Sequence, residues 1–134
     1  MQAMQLKEGD THVFTADAVT TTQLVKYAGA SGDFNRIHFD QEFARNAGLG
    51  DIIAHGMLTM AFAGRCLAEM VLHPDYVHTF SARFLAPVKV GSIVKVEAKV
   101  LGFDELLANV ELHASVAGKM VMYGNAKLLA SHEA

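Results

Sequence analysis

An aspartate and a histidine lie close together in the segment Ser31-Gly32-Asp33-Phe34-Asn35-Arg36-Ile37-His38. A carboxylate and an imidazole that converge on one water can work as an acid/base pair. The imidazole suits this work because its unperturbed pKa is about 6.5. Gly32 carries no side chain, so the backbone beside Asp33 can approach a ligand closely. A plainer reading stands next to this one. An aspartate in a Gly-Asp-x-Asn loop also serves as a turn or cap residue, bonded to local N–H groups.

A second segment, Ala54-His55-Gly56-Met57, opens the most apolar stretch of the chain. The first N–H groups of a helix lack intrahelical partners and carry partial positive charge, so they can hold an oxyanion. Gly56 would let a carbonyl oxygen sit against that backbone, or it would simply ease close packing of the helix end. His55 is equally a capping or packing histidine. Seven histidines and a single cysteine, Cys66, are scattered without a tight metal-ligand spacing, so no metal is expected.

These segments need elements to position them. Thr11 to Thr15 reads as a first strand. Thr20, Thr21 and Thr22 offer N-cap hydroxyls to a short helix carrying Leu24, Val25, Tyr27 and Ala28, which ends near Gly29 to Gly32. Asp40 is placed to cap a second short helix with Phe43, Ala44 and Ala47, ended by Gly48. From Met57 to Leu72 apolar residues fall on nearly all sides, as in a helix wrapped by a sheet, with Arg65 and Glu69 four apart on the polar edge. The rest alternates with period two. Tyr76 to Ala86, the run Val94 to Val100, the run Leu106 to Val116, and the run Met120 to Leu128 give four strands. Turns are expected at Pro87 to Gly91, Gly102 to Glu105 and Ala117 to Lys119, and such short connections imply antiparallel pairing. The pattern is that of an α+β domain, a sheet curled around one helix.

A chain of 134 residues is expected to form one domain, spanning residues 1–134. It is 51% hydrophobic and 19% charged, apolar enough that it either encloses a greasy ligand or has part of its surface covered by another subunit. The net charge is -3 with no Lys/Arg cluster, which argues against a nucleic-acid partner. Ile52 to Leu72 carries Arg65, Glu69 and His55, so it reads as a buried helix and no membrane association is expected. One cysteine permits no intrachain disulfide, and the polar start, Met1 to Asp10, has no apolar signal core; both fit a cytoplasmic protein.

The run from Tyr27 through His38 closely resembles the hydratase 2 motif of the MaoC-like family of (R)-specific enoyl-CoA hydratases and 3-hydroxyacyl dehydratases. Ile53 to Leu58 is similar to that family's start of the central helix, and Arg83 to Val88 followed by Gly91 to a later strand and turn. The likeness covers about Thr11 to Ala130. It implies a single hot-dog fold, an antiparallel sheet around a long helix. It implies a homodimer or higher homo-oligomer, with the active site near the subunit interface. It also implies hydration of trans-2-enoyl thioesters on CoA or acyl carrier protein, with no cofactor. Asp33 and His38 would be catalytic, Asn35 would orient the loop, and the Gly56 N–H would polarise the thioester carbonyl. Asn35, Arg36, His55 and Met57 are the candidate substrate contacts; Met57, Met60, Phe62 and Met70 are core or acyl-pocket lining. Arg36 stands where the family usually has proline. It restores an N–H, and it either tunes Asp33 and His38, or meets a CoA phosphate, or points into solvent. The alternatives are the catalytic subunit of a 3-hydroxyacyl-ACP dehydratase and a non-catalytic acyl- or partner-binding hot-dog subunit. Arg36 is the only feature that favours the last.

Overall fold

A computed structural model describes residues 4–71 and 73–132. In chain order the elements are β1 (Met4–Leu6), β2 (Thr11–Thr15), α1 (Thr21–Ser31), α2 (Gln41–Asn46), α3 (Gly56–Met70), β3 (Val77–Phe84), β4 (Lys95–Asp104), β5 (Leu107–Val116) and β6 (Lys119–His132). Single 3-10 turns occupy Arg36–His38 and Pro74–Tyr76.

The caps form as the side chains dictate. Thr20 accepts the N–H of Gln23 to start α1, and Gly32, at φ 75°, ends it in the left-handed region that glycine enters without strain. Asp40 accepts the N–H of Phe43 to start α2. The strands bury the expected faces: Val94, Val96, Ala98 and Val100 on one, and Ala108, Val110, Leu112 and Ala114 on the next. Against them lie Leu58, Ala63, Cys66, Leu67 and Met70 of α3, so the core is the layer between helix and sheet. The sheet wraps one long helix: the hot-dog arrangement.

The sheet departs from the simple alternating reading in four places. β4, β5 and β6 are joined by hairpins, but β3 pairs antiparallel with β6 and not with its sequence neighbour β4. The connection 85–94 is long enough to cross the sheet, so the order runs β3, β6, β5, β4, β2. The strand β4 continues through Gly102 with a register shift after Val100, and the turn falls at Glu105 and Leu106. A second shift, between Ala114 and Ser115, turns Met120 outward and Val121 inward. The short strand β1 pairs in parallel with residues 130–132 of β6, and its three residues are too few to carry a periodic signal.

The central helix ends at Met70, and Leu72, expected in it, lies outside the described residues. Arg65 and Glu69 do not pair with each other. Glu69 binds His12 of β2 at 2.9 Å, and Arg65 lies over the Phe14 ring. Both partners come from β2, which sequence spacing along one helix does not reveal. Among the described residues no helix is long and apolar enough to cross a membrane.

Candidate active site

Gly32 ends α1 and releases the chain into a loop that folds on its own side chains. The Asp33 N–H donates to Ser31 Oγ at 3.1 Å, the Asn35 N–H to Asp33 Oδ1 at 3.2 Å, and the Ile37 N–H to Asn35 Oδ1 at 3.3 Å. Asp33 is therefore a turn residue through one oxygen. Its other oxygen, Oδ2, lies 3.8 Å from Nε2 of His38. The turn and acid/base readings are both satisfied, by different atoms of one carboxylate.

His38 is buried, in the last residue of the 3-10 turn. Its Nδ1 sits 2.8 Å from the Ile53 carbonyl oxygen. A carbonyl only accepts, so Nδ1 carries a proton, and in the neutral ring Nε2 is the nitrogen that presents a lone pair toward Asp33. At 3.8 Å the two groups are too far apart for a direct hydrogen bond, and a water seated to one side of the pair would be within reach of both.

His55 lies behind His38. The rings stack with centroids 3.8 Å apart and planes 19° from parallel, and the Tyr27 ring packs at a tilt against His55, centroids 4.7 Å apart. Nε2 of His55 donates to the Asp33 carbonyl oxygen at 3.2 Å, tying the loop to the start of α3. Its Nδ1 is buried without a partner. Burial lowers the pKa of His55, and the neighbouring His38 lowers it further, against the opposing pull of the Asp33 carbonyl and charge. It stays neutral. His55 is 2% exposed and precedes α3 without making a side-chain cap.

Gly56 opens α3, and its N–H and that of Met57, which have no partner within the helix, have no backbone partner among the described residues. A cavity of about 380 Å³ is lined by His38, Gly56, Thr59, Phe84, Val88 and Val121, among others. It brings His38 and the first residue of α3 to one space. A wider groove of about 810 Å³ between β2, α1 and α3 touches none of Asp33, His38 or Gly56. The smaller one holds His38 and Gly56, and Asp33 stands next to His38 outside its lining.

The remaining candidates fall around this centre. Asn35 holds the 3-10 turn. Arg36 turns away from Asp33 and His38: it binds Asp40 at 2.9 Å and lies over the Phe43 ring at 4.4 Å. The Phe43 N–H and the Arg36 guanidinium hold the Asp40 carboxyl below its usual pKa. Met57 is exposed on the first turn of α3. Sequence reading did not find the Ile53 carbonyl, which sets the tautomer of His38, because a backbone atom leaves no residue-type signal. Thr59 was also missed, although a lone hydroxyl on an apolar helix is a signal; it is buried and lines the cavity.

Donor atoms of Asp33, His38 and His55 lie within 4.8 Å of one another, a closeness that spacing along the chain does not show. The stacked imidazoles hold their lone pairs in near-parallel, separate planes, which is poor geometry for a shared ion.

A carboxylate and an imidazole 3.8 Å apart, beside the first N–H groups of a helix, form the apparatus of an enzyme that moves protons next to a carbonyl. The chain belongs to the MaoC-like domain family, whose model matches residues 5–120. It is 28% identical to an (R)-specific enoyl-CoA hydratase of Rhodospirillum rubrum, over 92% of this chain and 88% of that protein. It is 34% identical to the 3-hydroxyacyl-thioester dehydratase Z of Mycobacterium tuberculosis, over 84% of this chain and 78% of that one. Among solved structures it matches the R-hydratase PhaJ1 of Pseudomonas aeruginosa with TM-score 0.85 and 30% identity, covering 96% of this chain and 84% of that one.

Proposed function

We propose that this protein is a hydro-lyase that reversibly adds water to trans-2-enoyl thioesters, giving (R)-3-hydroxyacyl thioesters. One observation carries the reading: Nε2 of buried His38, whose Nδ1 is held by the Ile53 carbonyl, lies 3.8 Å from Asp33 Oδ2, and His38 lines one cavity with Gly56 at the start of α3. The thioester carbonyl rests on the Gly56 N–H. Asp33 and His38 hold the water. His38 Nε2 takes one of its protons as the oxygen bonds to Cβ, and the C=C electron pair moves toward the thioester oxygen. The imidazolium, held beside the Asp33 carboxylate, then supplies a proton to Cα, so one water is added in all. General acid/base action of this kind is worth roughly two to four powers of ten, and one oxyanion donor about 3 kcal/mol. Every group the steps require is a side chain or backbone atom, so the reaction needs no cofactor.

The substrate is an acyl-CoA or acyl-carrier-protein thioester; relatives named as hydratases and as dehydratases support either direction of one reaction. The non-catalytic reading loses its one support, because Arg36 is committed to Asp40 and Phe43. A homodimer is the expected state. Among the described residues β3 pairs on one edge only, and Phe84 and Leu85 at its end stay about half exposed, an edge that a second copy would cover. The cytoplasm is the expected compartment.

The test is loss of enoyl-thioester absorbance when purified protein meets crotonyl-CoA, with gel filtration of the same sample. Hydration by a dimer is expected. A folded protein inert toward both CoA and carrier-protein enoyl thioesters would refute the reading.

A further inference from the structure

The stretch 53–56 meets both acid/base groups and opens the central helix. The Ile53 carbonyl accepts from His38 Nδ1 at 2.8 Å, His55 Nε2 donates to the Asp33 carbonyl at 3.2 Å, and Gly56 is the first residue of α3. The stretch is itself held from two directions. The Ile53 N–H donates to the Ile37 carbonyl at 3.0 Å, and the Ala54 N–H to the Val88 carbonyl at 2.7 Å. Bonds to two separate segments make it the firm side of the site.

The Asp33 side is less firm. Asp33 follows a left-handed glycine, and its side chain is 54% exposed. Its bonds to Ser31 Oγ and from the Asn35 N–H reach only near neighbours in the chain, so they shape the turn without fixing where the turn sits. Among the described residues, the hydrogen bond that reaches Asp33 from outside its loop is the one from His55. The same imidazole stacks on His38, centroids 3.8 Å apart, so His55 touches both members of the pair.

A carbonyl accepts, so Nε2 carries the His55 proton and Nδ1 a lone pair. A second proton, on Nδ1, would make a buried charge with no acceptor, stacked against the His38 ring. The ring is therefore a neutral strut of one tautomer. His55 is a candidate substrate contact by sequence; in the structure it is 2% exposed and lines neither the cavity that holds His38 nor the wider groove.

We propose that His55 is a positioning residue for the hydration: its Nε2–H bond to the Asp33 carbonyl, braced by the stack on His38, sets the separation at which carboxylate and imidazole share one water. The inference rests on the hydratase reading and gives His55 no contact with substrate. Without the bond the loop can shift, and a misplacement near 1 Å costs about a hundredfold in rate. Because His55 does not touch the thioester, the loss falls on kcat and leaves KM little changed.

The test measures kcat and KM for crotonyl-CoA, with thermal melts, in the wild type, His55→Phe, His55→Leu and His55→Gln. His55→Phe keeps a ring against His38 and loses the donor. His55→Leu loses the donor with a smaller side chain, and serves if His55→Phe fails to fold. His55→Gln puts an amide N–H near the place of Nε2. The two variants without a donor should lose about a hundredfold in kcat, and His55→Gln should recover about tenfold of that, the worth of one hydrogen bond. Imidazole nitrogen NMR of the wild type, at the pH of the assay, should show His55 protonated at Nε2 alone. Near wild-type kcat in a folded His55→Phe or His55→Leu, no recovery in His55→Gln, a loss carried by KM, or a His55 protonated at Nδ1 would overturn the positioning role while leaving the hydratase reading in place. A wild type inert toward enoyl thioesters would overturn both.

Discussion

Asp33→Asn separates the two jobs of one carboxylate. Oδ1 accepts the Asn35 N–H and shapes the loop, and Oδ2 faces His38. Asparagine keeps a carbonyl oxygen for the first job and replaces the second with an NH2 that carries no charge. The side chain is 54% exposed, so the change removes no buried partner, and stability should move by no more than about 0.5 kcal/mol. Activity should fall by roughly two to four powers of ten, the usual worth of a positioned acid/base group. Asp33→Ala should lose the same activity and also the turn bond, about 1 kcal/mol. The assay is crotonyl-CoA absorbance at matched protein concentration, with thermal melts of all three proteins. Asp33→Asn retaining a third or more of wild-type turnover would refute the division of labour. So would a melt far below that of the wild type.

Three further outcomes follow from the same geometry. In Gly56→Ala the new Cβ meets the ring of Phe84 at 3.3 Å, and that ring is 47% exposed and free to yield. The variant should fold, while the displaced ring and the added methyl push the carbonyl off its donor; a misplacement near 1 Å costs about a hundredfold in kcat/KM. Because the folded pKa of His55 lies below its ordinary 6.5, the unfolded chain binds the extra proton first as pH falls. The contribution of His55 to stability is complete above 6.5 and is lost progressively as pH drops from there toward the lowered folded value, so melts over that window should show a shallower acid-side loss in His55→Asn than in the wild type. Burial raises the Cys66 thiol to about 11, so the native protein should resist a thiol reagent such as dithionitrobenzoate at neutral pH and react only on unfolding.

The period-two runs placed the strands because each has one buried face, and Val96, Leu112 and Leu128 are where alternation puts them. Pairing was less legible. Alternation fixes a strand's faces and not its neighbour, so β3 beside β6, and the bulges near Gly102 and Ser115, required the three-dimensional sheet. In the site, Asp33, His38 and Gly56 were readable from residue type and local spacing. The stacking of His55 on His38 was not, since the two lie on different elements joined by α2 and its flanking loops. Nor was the pairing of Arg36, because the (i, i+4) relation to Asp40 crosses a 3-10 turn and not a continuous helix.

The central claim is that water bonds to Cβ of an enoyl thioester under the control of Asp33 and His38. Its most direct measurement is the configuration of the 3-hydroxybutyryl-CoA formed from crotonyl-CoA, read with (R)- and (S)-specific dehydrogenases, for the wild type and His38→Ala. The reading predicts (R) product from the wild type and almost none from a folded His38→Ala. Product of (S) or mixed configuration, or undiminished (R) product from His38→Ala, would contradict it.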